Sequence, residues 1–140
     1  MTDITPELIA AYRGTDYLAK LPDGPATLRV DAPCPALAAY LAQVGAETAA
    51  VITAYNPYSM PCDPEENRAA HAALKDVLKS MGLTALPCDG TDPGGHWPTE
   101  HGLLVLGIGK AALRGLATVF GQNAVLWIET DGVPRLELLR

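Results

Sequence analysis

The stretch ITAYNPYSMPCDPEENRAAHAAL, residues 52–74, leads from an apolar run through a loop into an amphipathic helix. The apolar run, AAVITAY at residues 49–55, is short and nearly continuous, which is typical of a strand covered on both faces. Asp63 and Pro64 then provide a good N-cap and a favoured first helical residue. This unit predicts a buried strand joined to a helix.

Similar patterns on both sides of this unit predict further elements. Helices are expected at residues 6–13, 35–44, 64–81 and 110–120, and strands at 16–21, 26–30, 83–87, 103–108, 124–129 and 133–139. The segment at residues 88–102 is rich in Gly, Pro and Asp and is expected to be a loop. The alternation of strands and helices predicts a single mixed α/β domain over residues 1–140, with a central mixed sheet, packed helices and terminal hairpins.

The composition narrows the class of protein. The chain has 140 residues, 49% of them hydrophobic, which suits one domain with a substantial core. A net charge of −6 and scattered Lys and Arg argue against a nucleic-acid or membrane-surface partner. The start resembles no signal peptide, and three cysteines make a disulfide framework unfavourable, so we expect a cytoplasmic protein.

Two asparagines flank the loop that follows the first buried strand. Asn67 precedes Ala70 by three residues and Leu74 by seven, spacings that place it on the core-facing side of the helix. A buried amide needs hydrogen-bond partners, and the loop after Asn56 is expected to supply backbone groups. Either the amides only hold the loop, or both also line a pocket at the carboxyl end of a strand, where open α/β folds bind ligands. The two interpretations are compatible.

Six segments together resemble the bacterial family catalogued as domain of unknown function 3293. They are AYRGTDY (11–17), ITAYNPYS (52–59), Asn67, GTDPGGHWPTE (90–100), LLVLGI (103–108) and FGQNAVLW (120–127). The chain is similar to the family pattern at Thr53, Asn56, Pro57, Ser59, Asn67, Trp97, Glu100 and Gln122. It departs from the pattern at Gly102, where the resemblance leads us to expect a serine. The resemblance supports the fold and implies no particular activity.

Glu100 is the first candidate for chemistry. His96, Trp97 and His101 surround it in the sequence, and a carboxylate in such a setting can have a raised pKa and act as a general acid or base. The alternative is a solvated carboxylate that caps backbone amides. Trp97 could stack on a ring-bearing ligand or close the edge of the core.

Two further patterns are weaker. Cys62, Cys88, His96 and His101 are residue types that bind zinc, but their spacing lacks the tight pairs of zinc sites, and we predict neither a metal nor a cofactor. The segment GIGKAALRG, residues 107–115, could hold a phosphate at a helix start or form only a tight turn.

The leading hypothesis is a protein that binds a polar small molecule. The expected pocket residues share positions at strand or helix ends: Asn56, Ser59, Asn67, Trp97, Glu100 and Gln122. Whether the protein is an enzyme stays open; if it is, Glu100 is the expected acid–base residue. The alternative is a non-catalytic interaction or regulatory module, in which these residues only fix loops and an exposed edge or apolar patch meets an unidentified protein partner.

Overall fold

The helices and strands alternate along the chain. A computed structural model describes residues 4–139. Its elements are α1 (Pro6–Arg13), β1 (Asp16–Leu21), β2 (Gly24–Leu28), α2 (Pro35–Val44), β3 (Thr48–Thr53), α3 (Pro64–Ser80), β4 (Ala85–Thr91), β5 (Gly102–Leu106), α4 (Lys110–Val119), β6 (Ala124–Glu129) and β7 (Arg135–Leu138). Within this part of the chain, no helix combines the length and the apolar character needed to cross a membrane.

The strands form one seven-stranded sheet in the order β2-β1-β4-β5-β3-β6-β7. The α/β class and the hairpins β1–β2 and β6–β7 are confirmed. The mixed sheet is wrong, because every neighbouring pair of strands is antiparallel.

The helical crossovers explain this difference. The crossover through α3 joins β3 to β4, and the crossover through α4 joins β5 to β6. Each crossover joins strands that run in the same direction, but β5 lies between the first two strands and β3 lies between the second two. The predicted alternation of strands and helices is therefore present, whereas the interleaving of the strands removes every parallel neighbour.

Strand β4 extends beyond its predicted end. Its last four residues, 88–91, were expected in a loop, but Cys88, Asp89, Gly90 and Thr91 pair with β1. The pairing places Cys88 opposite Ala19 and Thr91 opposite Asp16. This pairing with a strand about 70 residues earlier satisfies the backbone groups of a segment whose own composition favours a turn.

Both faces of the sheet are covered. On one face, Leu37 and Leu41 of α2 belong to a buried cluster with Val51 of β3. On the other face, α3 and α4 pack against Ile52; they contribute Leu74, Leu78, Leu113, Leu116 and Ala117. Strand β3 is thus buried on both sides, as its nearly continuous apolar sequence predicts.

Helix α1 packs differently from the others. Thr5 caps it by accepting a hydrogen bond from the backbone N–H of Leu8. None of its residues is fully buried. Its side chains Leu8, Ala11 and Tyr12 instead face a cavity.

Candidate functional site

The cavity beside α1 has a volume of about 540 Å³. This lies within the range of about 300–1,000 Å³ that small-molecule sites occupy. All six residues that the sequence analysis assigned to a pocket line this cavity: Asn56, Ser59, Asn67, Trp97, Glu100 and Gln122. They reach it from separate segments of the chain.

The cavity lies at strand ends, but not at the carboxyl ends alone. Thr53 at the carboxyl end of β3 pairs with Gly102 at the amino end of β5, and both line the cavity. Ala124, at the amino end of β6, lines it as well. Because neighbouring strands are antiparallel, carboxyl and amino ends of strands alternate along each side of the sheet. The expectation that ligands bind at carboxyl ends, which comes from parallel sheets, therefore applies only in part.

Asn56 and Asn67 bind each other. The backbone N–H of Asn56 donates to Oδ1 of Asn67 at 2.9 Å, and Nδ2 of Asn67 donates to Oδ1 of Asn56 at 2.9 Å. Oδ1 of Asn56 also accepts from the backbone N–H of Cys62 at 3.0 Å. The asparagine at the helix therefore holds the end of the strand to α3. Asn67 does bond to backbone as predicted, but that backbone N–H belongs to Asn56 itself and not to the loop after Pro57.

The loop after β3 contains strained backbone. Asn56, Tyr58 and Ser59 have φ values of 48°, 57° and 59°, in the left-handed region that residues with side chains rarely occupy. The N–H of Tyr58 donates to the carbonyl of Gly121 at 2.7 Å, which ties the loop to the turn before β6. Such strain persists only where surrounding contacts fix the backbone, and it concentrates at functional sites.

Ser59 is held by two residues from distant segments. Its hydroxyl lies 2.8 Å from the hydroxyl of Tyr12, and Nδ2 of Asn123 donates to both hydroxyl oxygens at 3.2 Å. Asn123 is only 3% exposed. This polar cluster joins α1 to the strained loop and to the start of β6.

Glu100 is fixed on both its backbone and its side chain. Its backbone N–H and carbonyl both pair with Gly90, at 2.9 and 2.8 Å. Its Oε2 accepts from Nδ2 of Asn56 at 3.0 Å. Burial raises the pKa of the Glu100 carboxyl, and the hydrogen bond from Asn56 offsets part of that rise.

The imidazoles near Glu100 in sequence do not cause this shift. His96 lies against Asp92, with Nδ1 3.3 Å from Oδ2, and it does not line the cavity. His101 lines the cavity, but its Nδ1 lies 3.1 Å from Oδ1 of Asp89. The expectation of a raised pKa agrees with the structure, and its cause is burial of the carboxyl, with no contribution from either imidazole. Trp97 is 46% exposed at the cavity.

Gln122 is 91% buried and lines the cavity between α4 and β6. Its Nε2 donates to the carbonyls of Tyr55 and Phe120, both at 3.2 Å. Only the nitrogen of an amide can donate to two carbonyls, so these bonds fix which way the side chain points. Its Oε1 has no donor among residues 4–139.

Three rings lie together beside the cavity. Tyr55 contacts His71 and His101 edge-on, with ring centroids 6.0 and 5.6 Å apart. Nδ1 of His71 is buried without a hydrogen-bond partner in the described part of the chain. Burial lowers the pKa of His71, and the charges of Lys75 and His101 lower it further. The arrangement favours a neutral His71.

The weaker motifs behave differently from the main set. Cys62 and Cys88 line the cavity, where burial raises the pKa of Cys88 to about 12. No three residues among His, Cys, Asp and Glu gather as a metal site within residues 4–139. At the start of α4, Lys110 lies 5.1 Å from the ring centre of Trp127 and 3.9 Å from Glu137.

Gly102 has a structural explanation. A Cβ at this position would lie 2.8 Å from the carbonyl oxygen of Cys88 and 3.0 Å from that of Ile52. The two neighbouring strands therefore leave no room for a side chain. A serine-dependent role at this position has no basis in this chain.

Several cavity residues were not predicted from the sequence. Tyr12 and Tyr17 belong to the quoted motif AYRGTDY but were not assigned to the site, and Tyr55 and Arg68 were not singled out. The spacing of Leu8 and Tyr12 on one side of α1 was a usable signal. What it could not indicate was that this side faces a cavity and not the core.

The chain belongs to the family described as a protein of unknown function (DUF3293), whose family model matches residues 52–125. This match confirms the resemblance drawn from the motifs. The matched segment contains all six predicted pocket residues. No curated protein and no solved structure matches the chain.

Proposed function

We propose that this member of the DUF3293 family binds a small molecule in the cavity beside α1, with Glu100 as the group that contacts the polar end of the ligand. The observation that carries the proposal is convergence. Six polar or aromatic residues, from segments up to 66 positions apart between Asn56 and Gln122, line one cavity of about 540 Å³.

The polar groups of the site divide into two kinds. Asn56 and Asn67 bind each other and the backbone, so they shape the cavity wall. Glu100 and Gln122 each keep one side-chain oxygen without a donor from residues 4–139. Oxygens left open on a rigid wall are suited to bind a ligand because they need no rearrangement.

An acid–base role for Glu100 extends this proposal. A carboxyl group whose pKa is raised by burial transfers protons closer to neutral pH than an exposed one. Its backbone pairing with Gly90 and its bond from Asn56 fix its position, as proton transfer requires. Acid–base chemistry on the bound molecule is therefore the reaction class that we propose if the protein is an enzyme.

The experiment is a thermal-shift screen against nucleotides, sugar phosphates, amino acids, amines and divalent metals. Wild type is compared with Glu100→Gln and with Glu47→Gln, an exposed position outside the cavity that makes the same change of net charge. A ligand at about 100 times its Kd stabilises the folded state by about 2.7 kcal/mol. This raises the Tm of a domain of this size by several degrees.

The two variants decide the outcome. A shift present in wild type and Glu47→Gln but absent in Glu100→Gln supports binding at this site. Calorimetry on each hit then gives the Kd, and NMR of the ligand detects turnover. Weakened but measurable binding without turnover in Glu100→Gln, together with turnover in wild type, supports the acid–base role. A shift of equal size in all three proteins contradicts the assignment of Glu100.

An interaction module remains the second candidate, and exposed apolar side chains favour it. Tyr58 is 46% exposed and Met60 is 63% exposed, and both adjoin Ser59, which lines the cavity. A protein partner that covers them would be captured by wild type and lost after Met60→Ser. A small-molecule shift that depends on Glu100 would count against this candidate as the main function.

A further inference from the structure

We infer that the ligand carries a cationic nitrogen, an ammonium or amidinium group, which is bound by the Glu100 carboxylate and by the side-chain oxygen of Gln122. The inference rests on the proposed function, and it names the chemical class of the molecule that the cavity binds. Three independent features of the cavity support it.

The first feature is a partly buried carboxylate without a counter-ion. Among residues 4–139, no Lys, Arg or His lies within ion-pair distance of Glu100. Its one side-chain hydrogen bond comes from the neutral amide of Asn56. Burying a carboxylate is unfavourable unless it is paired. A cation from the ligand would supply the missing partner.

The second feature is the free oxygen of Gln122. Its amide nitrogen is used by the carbonyls of Tyr55 and Phe120, and its side chain is 91% buried. The open group is therefore an acceptor, as is the open oxygen of Glu100. Two acceptors in one cavity select a molecule with several N–H donors, and an ammonium or amidinium provides them together with a positive charge.

The third feature is the aromatic wall. Tyr12, Tyr17, Tyr55 and Trp97 all line the cavity. Ring faces attract cations, and the attraction increases where water is excluded. Among residues 4–139, the one Lys or Arg that lines the cavity is Arg68, whose side chain is exposed and forms no ion pair with Glu100.

The test uses probes of matched shape and different charge. Benzamidine, benzamide and benzoate form one set, and phenethylamine, phenethyl alcohol and phenylacetate form the other. Each Kd is measured by calorimetry at neutral pH and low salt. We expect each cation to bind at least tenfold more tightly than its neutral counterpart, because a hydrogen bond to a charged group is stronger than one between neutral groups.

Variants then locate the interaction. Glu100→Gln should weaken cation binding about tenfold or more and leave the neutral probes within about twofold. Gln122→Met should weaken cations about twofold to tenfold, while Glu47→Gln should leave every Kd unchanged. If Gln122→Met does not fold, Glu100→Gln carries the test. Arg68→Gln should leave cation binding unchanged or make it tighter.

The outcomes separate this inference from the proposed function. Preferred binding of benzoate or benzamide, lost in Glu100→Gln, would overturn the cationic class while the proposed site stands. Tight binding of cations that persists in Glu100→Gln would overturn the inference too, since the carboxylate would then not be their partner. If no probe of any charge binds, and the wider screen also finds none, both proposals fail.

Discussion

The two helical crossovers begin at connections of opposite character. Between β3 and α3, residues 54–63 contain three non-glycine residues in the left-handed region and a network of side-chain hydrogen bonds. Between β5 and α4, Gly107 provides the left-handed residue, and Gly109 caps the helix without a side-chain bond. A Cβ at Gly107 would meet no atom within 4 Å.

The comparison shows which features a strand-to-helix connection needs in this fold. Both connections lead from a buried strand to a helix, and the second does so with little strain and few polar groups. The topology therefore does not demand the asparagine pair or the strained loop of the first connection. Their presence on the wall of the cavity is in keeping with a binding role, which is what we propose.

The largest expected effect comes from comparing two glycines. Gly121 has φ 67°, and a Cβ there would lie 2.9 Å from Cβ of Pro57 in the strained loop. Gly121→Ala should lower the free energy of unfolding by about 2–5 kcal/mol through backbone strain and overpacking. Gly107→Ala should cost only about 1–2 kcal/mol, because strain alone applies there. Urea unfolding measures both, and equal losses would contradict the difference in packing.

The next effect concerns the asparagine pair. Asn67→Ala removes the acceptor for the N–H of Asn56 and the donor to its side chain. We expect a loss of about 1–3 kcal/mol in unfolding free energy, because buried polar groups lose their partners. Lys110→Ala is the comparison variant at the other connection. Hydrogen exchange of the Asn56 amide provides a second measurement, and we expect it to be slow in wild type and faster in Asn67→Ala. An equally slow exchange in both proteins would show that the pair does not hold the loop.

A smaller effect is expected from Glu100→Gln at neutral pH. Burial raises the pKa of Glu100 in the folded state, so the folded protein binds a proton more readily than the unfolded chain. Stability must then fall as the pH rises through that pKa. The neutral variant avoids this loss and can still accept from Asn56, so its Tm should exceed that of wild type by about 1–4 °C.

The pH profile checks this sign. The difference in Tm should shrink as the pH falls below the pKa of Glu100, where the wild-type carboxyl is protonated as well. Calorimetric scans of both proteins from neutral to acid pH provide the measurement, with Glu47→Gln as the control for net charge. A variant that is less stable than wild type at neutral pH would mean that the carboxylate stabilises the fold.

The smallest effect is expected at the second connection. Lys110 contacts the ring of Trp127 and the carboxylate of Glu137 on the surface. Lys110→Gln should change the unfolding free energy by less than about 1 kcal/mol, because exposed pairs contribute little. Inorganic phosphate should shift the Tm of wild type and variant equally. A phosphate-induced Tm shift that is present in wild type and absent in Lys110→Gln would support a phosphate site at GIGKAALRG.

The positions of the site residues were predicted better than the contacts that their side chains make. The sequence placed Asn56, Asn67 and Glu100 at element ends, and all three line one cavity. It grouped Glu100 with His96, Trp97 and His101, yet the two imidazoles lie against Asp92 and Asp89. The direction in which a side chain points depends on its packing against distant segments. Residue spacing alone does not encode that packing.

Elements whose signals are local can be predicted from the amino-acid sequence alone. The caps at Thr5 and Asp63 and the apolar run of β3 involve residues within a few positions of each other. Three features depend on long-range packing: the antiparallel neighbours, the extension of β4 over residues 88–91, and the contact of Asn123 with Tyr12, which are 111 positions apart. Such contacts form because each strand can pair with strands far away in the chain. The arrangement of lowest free energy depends on all of these pairings together.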